Sequence, residues 1–273
     1  MKKFRWQIII VITIIGLMVS VKTNNSIGFN YLSAYLFTDY EKTLENLGKK
    51  YDIKFVYEID DSFIEKTLMG VNLNNSAKQI SNFELARYSV LLPLFFSKYP
   101  DSIIKNDVKT IKLAASLTLF GVSYGGTSVG STLYLTSSGF NNGYNDLYLE
   151  ELFHHEFSSI LMRNHRFPST KFATNNPAKF KYAKNVDDIL RAITQDTSTT
   201  GDNILYKNGF LTKYSMSTLE NDVNMYVETI FTKPKHLQNL INNYPAIKNK
   251  YLVVKQFYLG INPAFSKTFN LIH

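Results

Sequence analysis

Three of the chain's five histidines fall in the single stretch LEELFHHEFSSILMRNH, Leu149 to His165. On a helix, residues four apart share a face. A helix that reads H-E-x-x-H uses this spacing to turn two imidazoles toward one zinc ion, with the glutamate beside it as general base. In this chain His155 stands at the first ligand position and Glu156 at the base position. Ser159 stands where the second imidazole would be. A serine hydroxyl is a poor ligand at neutral pH, because zinc takes imidazole, thiolate and carboxylate.

Several side chains are candidates to complete a metal site. His165 follows His155 by ten residues, the spacing of the third ligand in H-E-x-x-H-x-x-G-x-x-H, but Met162 replaces the glycine and a different chain path is expected. Glu151 lies one helical turn before His155 and makes a carboxylate–imidazole pair on one face. His154 points about 100° away round the helix. Downstream, Glu220, Asp222 and Glu228 share one predicted helix, and Glu220 or Glu228 is the candidate acidic ligand. Plainer roles compete. Glu228 also reads as a surface charge near a helix C-terminus, where the dipole disfavours it slightly. Tyr214 is one of 18 tyrosines, and His236 and His273 read as surface residues.

These residues need elements to position them. YLFTDYEKTLENLGKKY reads as an amphipathic helix ending near Gly48, and Ile53 to Ile59 as a short strand. Ser81 caps a second helical pattern, which Pro93 is expected to bend or end. TIKLAASLTLFGV and STLYLTSS alternate like strands, with the glycine-rich GVSYGGTSVGS between them as a loop. That loop lacks the spacing of a phosphate cradle. A helix follows from Asn145 to about Met162, then a polar, loop-rich segment from Arg166 to Asp202 whose most flexible part is TQDTSTTGDN. Another helix runs from near Thr218 to just before Pro234, and one or two more close the chain. Strands mixed with helices and then mostly helices indicate an α+β fold.

The N-terminus, MKKFRWQIIIVITIIGLMVSV, has a basic start and an apolar run from Ile8 to Val21, the pattern of a secretory signal. The run is short for a stable span, which needs about 20 residues. It is followed by no good cleavage site, so residues 1–22 read as a signal peptide or an uncleaved signal-anchor. Residues 23–30 read as a linker and 31–273 as a single domain, expected to lie outside the cytoplasm, secreted or periplasmic, or anchored to the membrane. The net charge of +8 includes Lys2, Lys3 and Arg5, and the other lysines are scattered, so no nucleic-acid partner is expected. With no cysteine, disulfides, thiolate metal sites and catalytic thiols are excluded.

FHHEFSSIL, followed by GFLTKYSMSTLENDVNMYVETIF, resembles the zinc-binding metallopeptidases of the zincin clan, gluzincin-like, over about Leu91 to Phe231. In that family the helix typically reads H-H-E-F-x-H-I-L. A later segment reads roughly Y-A-x-S-x-x-E-D-F-A-E and supplies an acidic ligand. The resemblance implies a small mixed sheet packed on the histidine-bearing helix, with a mostly helical C-terminal part. It implies a Zn2+ cofactor held by His155 and by Glu220 or Glu228, Glu156 as general base, and Tyr214 at the family's tyrosine position. Two departures stand out: Ser159 replaces the second histidine, and the usual lipid-attachment cysteine is missing. Two functions follow as expectations. One is an exported zinc metallopeptidase-like protein with an altered site, acting on a peptide or protein substrate if active. The other is a catalytically inactive binding or scaffold protein with a partner in the cell envelope.

Overall fold

A small mixed sheet and the long helix packed on it set the geometry of this chain. The computed structural model describes residues 39–65, 75–183 and 201–272, with Tyr31, 34–36 and Asp188. The expected signal segment and linker, 1–30, lie outside the described residues, as does most of TQDTSTTGDN. Among the described residues no helix is long and apolar enough to cross a membrane.

The order begins with α1 (Tyr40–Tyr51), β1 (Lys54–Val56), β2 (Ser76–Lys78), α2 (Asn82–Phe96) and α3 (Asp101–Asp107). Five short strands follow: β3 (Thr110–Ala114), β4 (Ser116–Leu119), β5 (Val122–Tyr124), β6 (Gly126–Val129) and β7 (Thr132–Thr136). The rest is helical: α4 (Asp146–Asn164), α5 (Ser169–Ala173), α6 (Asn203–Lys207), α7 (Leu219–Thr232), α8 (Pro234–Asn243), α9 (Pro245–Ile261) and α10 (Ser266–Phe269). This is the expected α+β architecture with its helical C-terminal part.

One sheet has the order β1-β3-β7-β6, with β1, β3 and β7 parallel and β6 antiparallel at the edge. The other is the antiparallel β2-β4-β5. The stretch expected as one strand, TIKLAASLTLFGV, is therefore divided between two sheets. The stretch expected as a glycine-rich loop is β5 and β6 with their turns. Its glycines serve tight connections: Phe120 (φ 54°) and Gly121 (φ 75°) close the β4–β5 hairpin with both residues left-handed, and Gly130 (φ 53°) opens the β6–β7 turn.

Gly48 does not end α1. The left-handed cap falls on Asp52, whose N–H donates to the Gly48 carbonyl. Gly48 is needed for a close approach instead, because a Cβ there would sit 2.5 Å from the Ile53 carbonyl oxygen. Ser81 caps α2 as expected, and Pro93 is carried inside that helix, which continues to Phe96.

Helix α4 starts where Asn145 accepts from the Tyr148 N–H. It is buried on most sides, and Phe153, Phe157, Ile160 and Leu161 are fully enclosed in the main core. Burial of each contributes roughly 1.5–3 kcal/mol. Helix α7 starts at Thr218, which accepts from Asn221 N–H, and stops before Pro234, the first residue of α8.

Candidate functional site

The packing of α4 against α7 is recorded in three side-chain pairs. His155 Nδ1 bonds Glu228 Oε1. Asn224 Nδ2 donates to Ser159 Oγ at 2.8 Å. Arg163 Nη1 meets Glu220 Oε1 at 3.4 Å. Each step of four along α4 is matched by a step of four back along α7, so the helices run antiparallel in fixed register. The rungs grade from a mostly buried ion pair, through a buried neutral pair, to a half-exposed ion pair.

Beside the first rung lies a cavity of about 350 Å³, walled by 122–126 of β5 and β6, by Tyr148, Glu151, Leu152, His155 and Glu156 of α4, by Met225 and Glu228 of α7, and by Tyr214. Gly126 brings β6 down onto α4: a Cβ there would lie 2.8 Å from both Leu152 Cδ1 and the Tyr134 carbonyl oxygen, and 3.1 Å from Glu156 Cγ.

Burial opposes a charge on His155, but the hydrogen bond and charge of Glu228, with Glu156 behind, outweigh it and raise the imidazole to about 9. Its Nδ1 is engaged by Glu228, and the Asn221 side chain adds a further hydrogen bond that also favours the charged ring. Glu156 is 92% buried and is raised to about 7, chiefly by burial and further by Glu220 and Glu228, against the lowering effect of His155. No hydrogen bond or ion pair holds its carboxyl among the described residues, so it lies in the cavity wall able to exchange a proton near neutral pH. Tyr214 places its ring 6.0 Å from the His155 ring, and burial raises its hydroxyl pKa.

The sequence candidates separate clearly. His155, Glu156, Tyr214 and Glu228 come together around the cavity, with Glu151 beside them. Glu151 is held by Lys233 at 2.6 Å. His165 is elsewhere. With Met162 in place of a glycine, α4 stays helical through Asn164, which carries residue 165 about 15 Å along the axis from residue 155. There His165 Nε2 meets Asp107 at 3.0 Å. Glu220 faces Arg163 and does not line the cavity. His154 is a core residue, bonded to Tyr99 Oη at 2.8 Å and stacked on Phe231 at 4.6 Å.

A model of the family described as "Putative zinc-binding metallo-peptidase" matches residues 38–259. The chain belongs to this metallopeptidase family. It is also similar in fold to a crystal structure of a putative zinc-binding metallo-peptidase from Bacteroides caccae ATCC 43185. The two align with a TM-score of 0.52 at 18% identity, over 85% of this chain and 89% of that one. No curated protein matches the chain.

Membership raises the question of zinc, and the donor set does not fit it. Among the described residues no group of three or more His, Asp or Glu side chains could hold a metal ion. On the face of α4 that His155 shares, the next turn presents Ser159, and α7 presents Asn224 to it. Both are neutral, both are buried (3% and 1% exposed), and they are bonded to each other. The Asn224 amide oxygen is also buried and has no hydrogen-bond partner among the described residues.

Asn224 is the residue that the sequence candidates left out, although the signal was present. Counting along the family pattern from Tyr214 places Ser217 on its serine, Glu220 on its first glutamate and Asn224 on its last. Ser159 and the Asn224 opposite it are thus both neutral.

Proposed function

We propose that this chain is a non-hydrolytic member of the metallopeptidase family, a binding protein that takes an extended peptide or protein segment at the cavity beside β6. The observation that carries this reading is the donor set around His155: one imidazole, already held by Glu228, followed by a serine bonded to an asparagine. The edge strand and the cavity beside it support a peptide site. Strand β6 is the edge of its sheet, and an edge strand is a template for a further strand. The cavity beside it offers His155, Glu156 and Tyr214 to the peptide's polar groups. The apolar run behind a basic N-terminus supports action outside the cytoplasm, with the chain released or held at the membrane by that segment, and a partner in the cell envelope.

The deciding experiment is metal content. After equilibration with trace zinc, mass spectrometry on the purified chain should find far less than one zinc per molecule, and a mixed peptide library should stay uncut. Near-stoichiometric zinc that disappears in His155→Ala would overturn the reading. One observation favours a second reading, peptide-bond hydrolysis: Glu156, raised to about 7, is tuned for proton transfer at neutral pH. Cleavage abolished by Glu156→Gln would establish it.

A further inference from the structure

We infer that the Ser159–Asn224 hydrogen bond takes over the structural task of a metal ion, tying α4 to α7 at the place where a ligand set would otherwise converge. This deepens the non-hydrolytic reading and rests on it.

Position 159 shares a face of α4 with His155, one turn on. Position 224 is directly opposite, since its amide reaches the Ser159 hydroxyl at 2.8 Å. Side chains 159 and 224 therefore meet between the two helices, one turn along α4 from His155. The pairing of His155 Nδ1 with Glu228 is the kind of carboxylate contact that orients a ligating imidazole through its other nitrogen. The orienting contact is present, while the two positions that would complete the set carry neutral groups.

Those two groups match each other. A buried imidazolium at 159 or a carboxylate at 224, each without a metal, would be a costly charge in the α4–α7 interface. Serine alone, opposite an apolar residue, would leave a buried hydroxyl unsatisfied. Ser159 and Asn224 together bridge the helices without an ion, the amide N–H donating to the hydroxyl, while the Asn224 amide oxygen has no partner among the described residues. The neighbouring rungs, His155–Glu228 and Arg163–Glu220, fix the register that makes the bond possible.

The test converts the pair back. Ser159→His/Asn224→Glu in the full chain, titrated with Zn2+ alone and with Co2+ as a spectroscopic probe, should bind about one metal with the visible absorbance of a four-coordinate site. Its melting temperature should fall on adding a chelator, whereas that of the native chain should not move. Either single substitution should bind at least tenfold more weakly, as expected when one ligand of the set is missing. A folded double variant that binds neither metal overturns the inference.

If that variant does not fold, a double-mutant cycle decides. Ser159→Ala and Asn224→Ala should each lower the melting temperature by a few degrees, and the double variant should lose clearly less than the sum. Strictly additive losses overturn the inference. Stoichiometric zinc on the native chain would instead overturn the functional reading, so the two failures are distinguishable.

Discussion

The side-chain amide of Asn224 donates to the hydroxyl of Ser159 at 2.8 Å, in the middle of the interface between α4 and α7. Both residues are nearly free of solvent. Their bond is one rung from the His155–Glu228 pair, so the chain keeps an oriented imidazole beside two positions that supply no charge. Around this combination the site sets a histidine raised to about 9 by Glu228, a glutamate raised to about 7 chiefly by burial, and a cavity beside an edge strand.

Glu228 is the group that keeps His155 protonated. Burial alone would lower the imidazole, and Glu228 supplies the largest of the raising influences, ahead of Glu156 and Asn221. In Glu228→Gln, His155 should titrate well below its native value of about 9. NMR titration of the His155 ring checks this. Because His155 folds with a raised value, its pairing stabilises the native chain fully below 6.5, and this contribution is lost as pH rises through about 9. Glu228→Gln should remove that alkaline loss. An unchanged His155 titration would show that another group carries the effect.

Much of this frame is legible in the sequence, for local reasons. Helices α4 and α7 are marked by their caps, Asn145 and Thr218, and by dense apolar residues. Strands β5 and β6 are three and four residues long and bounded by glycines, too short for alternation to show, so a loop is the natural expectation. Gly48 has the look of a helix stop only while the nearby Ile53 carbonyl is unknown. The rungs lie beyond local pattern. Which residue of α7 faces Ser159 is a property of helix packing, and an asparagine opposite a serine draws no attention while charged candidates stand four residues to either side.

His154 should control acid stability. It is fully buried, and burial lowers it to about 4, against the raising effect of Glu150 and with Lys98 adding to the lowering. The unfolded imidazole binds a proton near its ordinary 6.5, so between that value and about 4 the unfolded chain holds more protons. The contribution is complete above 6.5 and is lost as pH falls, by about 3 kcal/mol in total. His154→Phe keeps the stack on Phe231 and cannot titrate. Denaturant unfolding at pH 7 and pH 4 should show the native chain losing about 3 kcal/mol more than the variant over that interval. Equal losses in the two chains would exclude His154 as the source.

The buried pair Lys250–Asp222 should be unforgiving to single changes. The ammonium lies 2.6 Å from the carboxylate, both side chains are fully enclosed, and Tyr182 also donates to Asp222. Lys250→Met leaves a buried charge without its partner, which costs about 3–5 kcal/mol. Lys250→Met with Asp222→Leu removes both charges and should recover most of that loss. Urea unfolding of the two variants measures the difference, and a double variant as unstable as the single one would count against the charge as the cause.

Gly126 should set how closely β6 approaches α4, and thereby whether the cavity can receive a peptide. An added Cβ meets the Tyr134 carbonyl of the neighbouring strand at 2.8 Å, a backbone atom that cannot swing aside, as well as Leu152 and Glu156 below. Gly126→Ala must therefore displace the edge strand, at a cost of about 1–3 kcal/mol typical of overpacking. Gly130 is the control, because its Cβ would meet nothing within 4 Å; its φ of +53° makes Gly130→Asn the suitable substitution there, since asparagine tolerates a left-handed backbone. Peptides selected on the native chain should bind at least tenfold more weakly to Gly126→Ala and almost unchanged to Gly130→Asn. Tight binding by a folded Gly126→Ala chain would mean that the peptide is held somewhere other than beside β6.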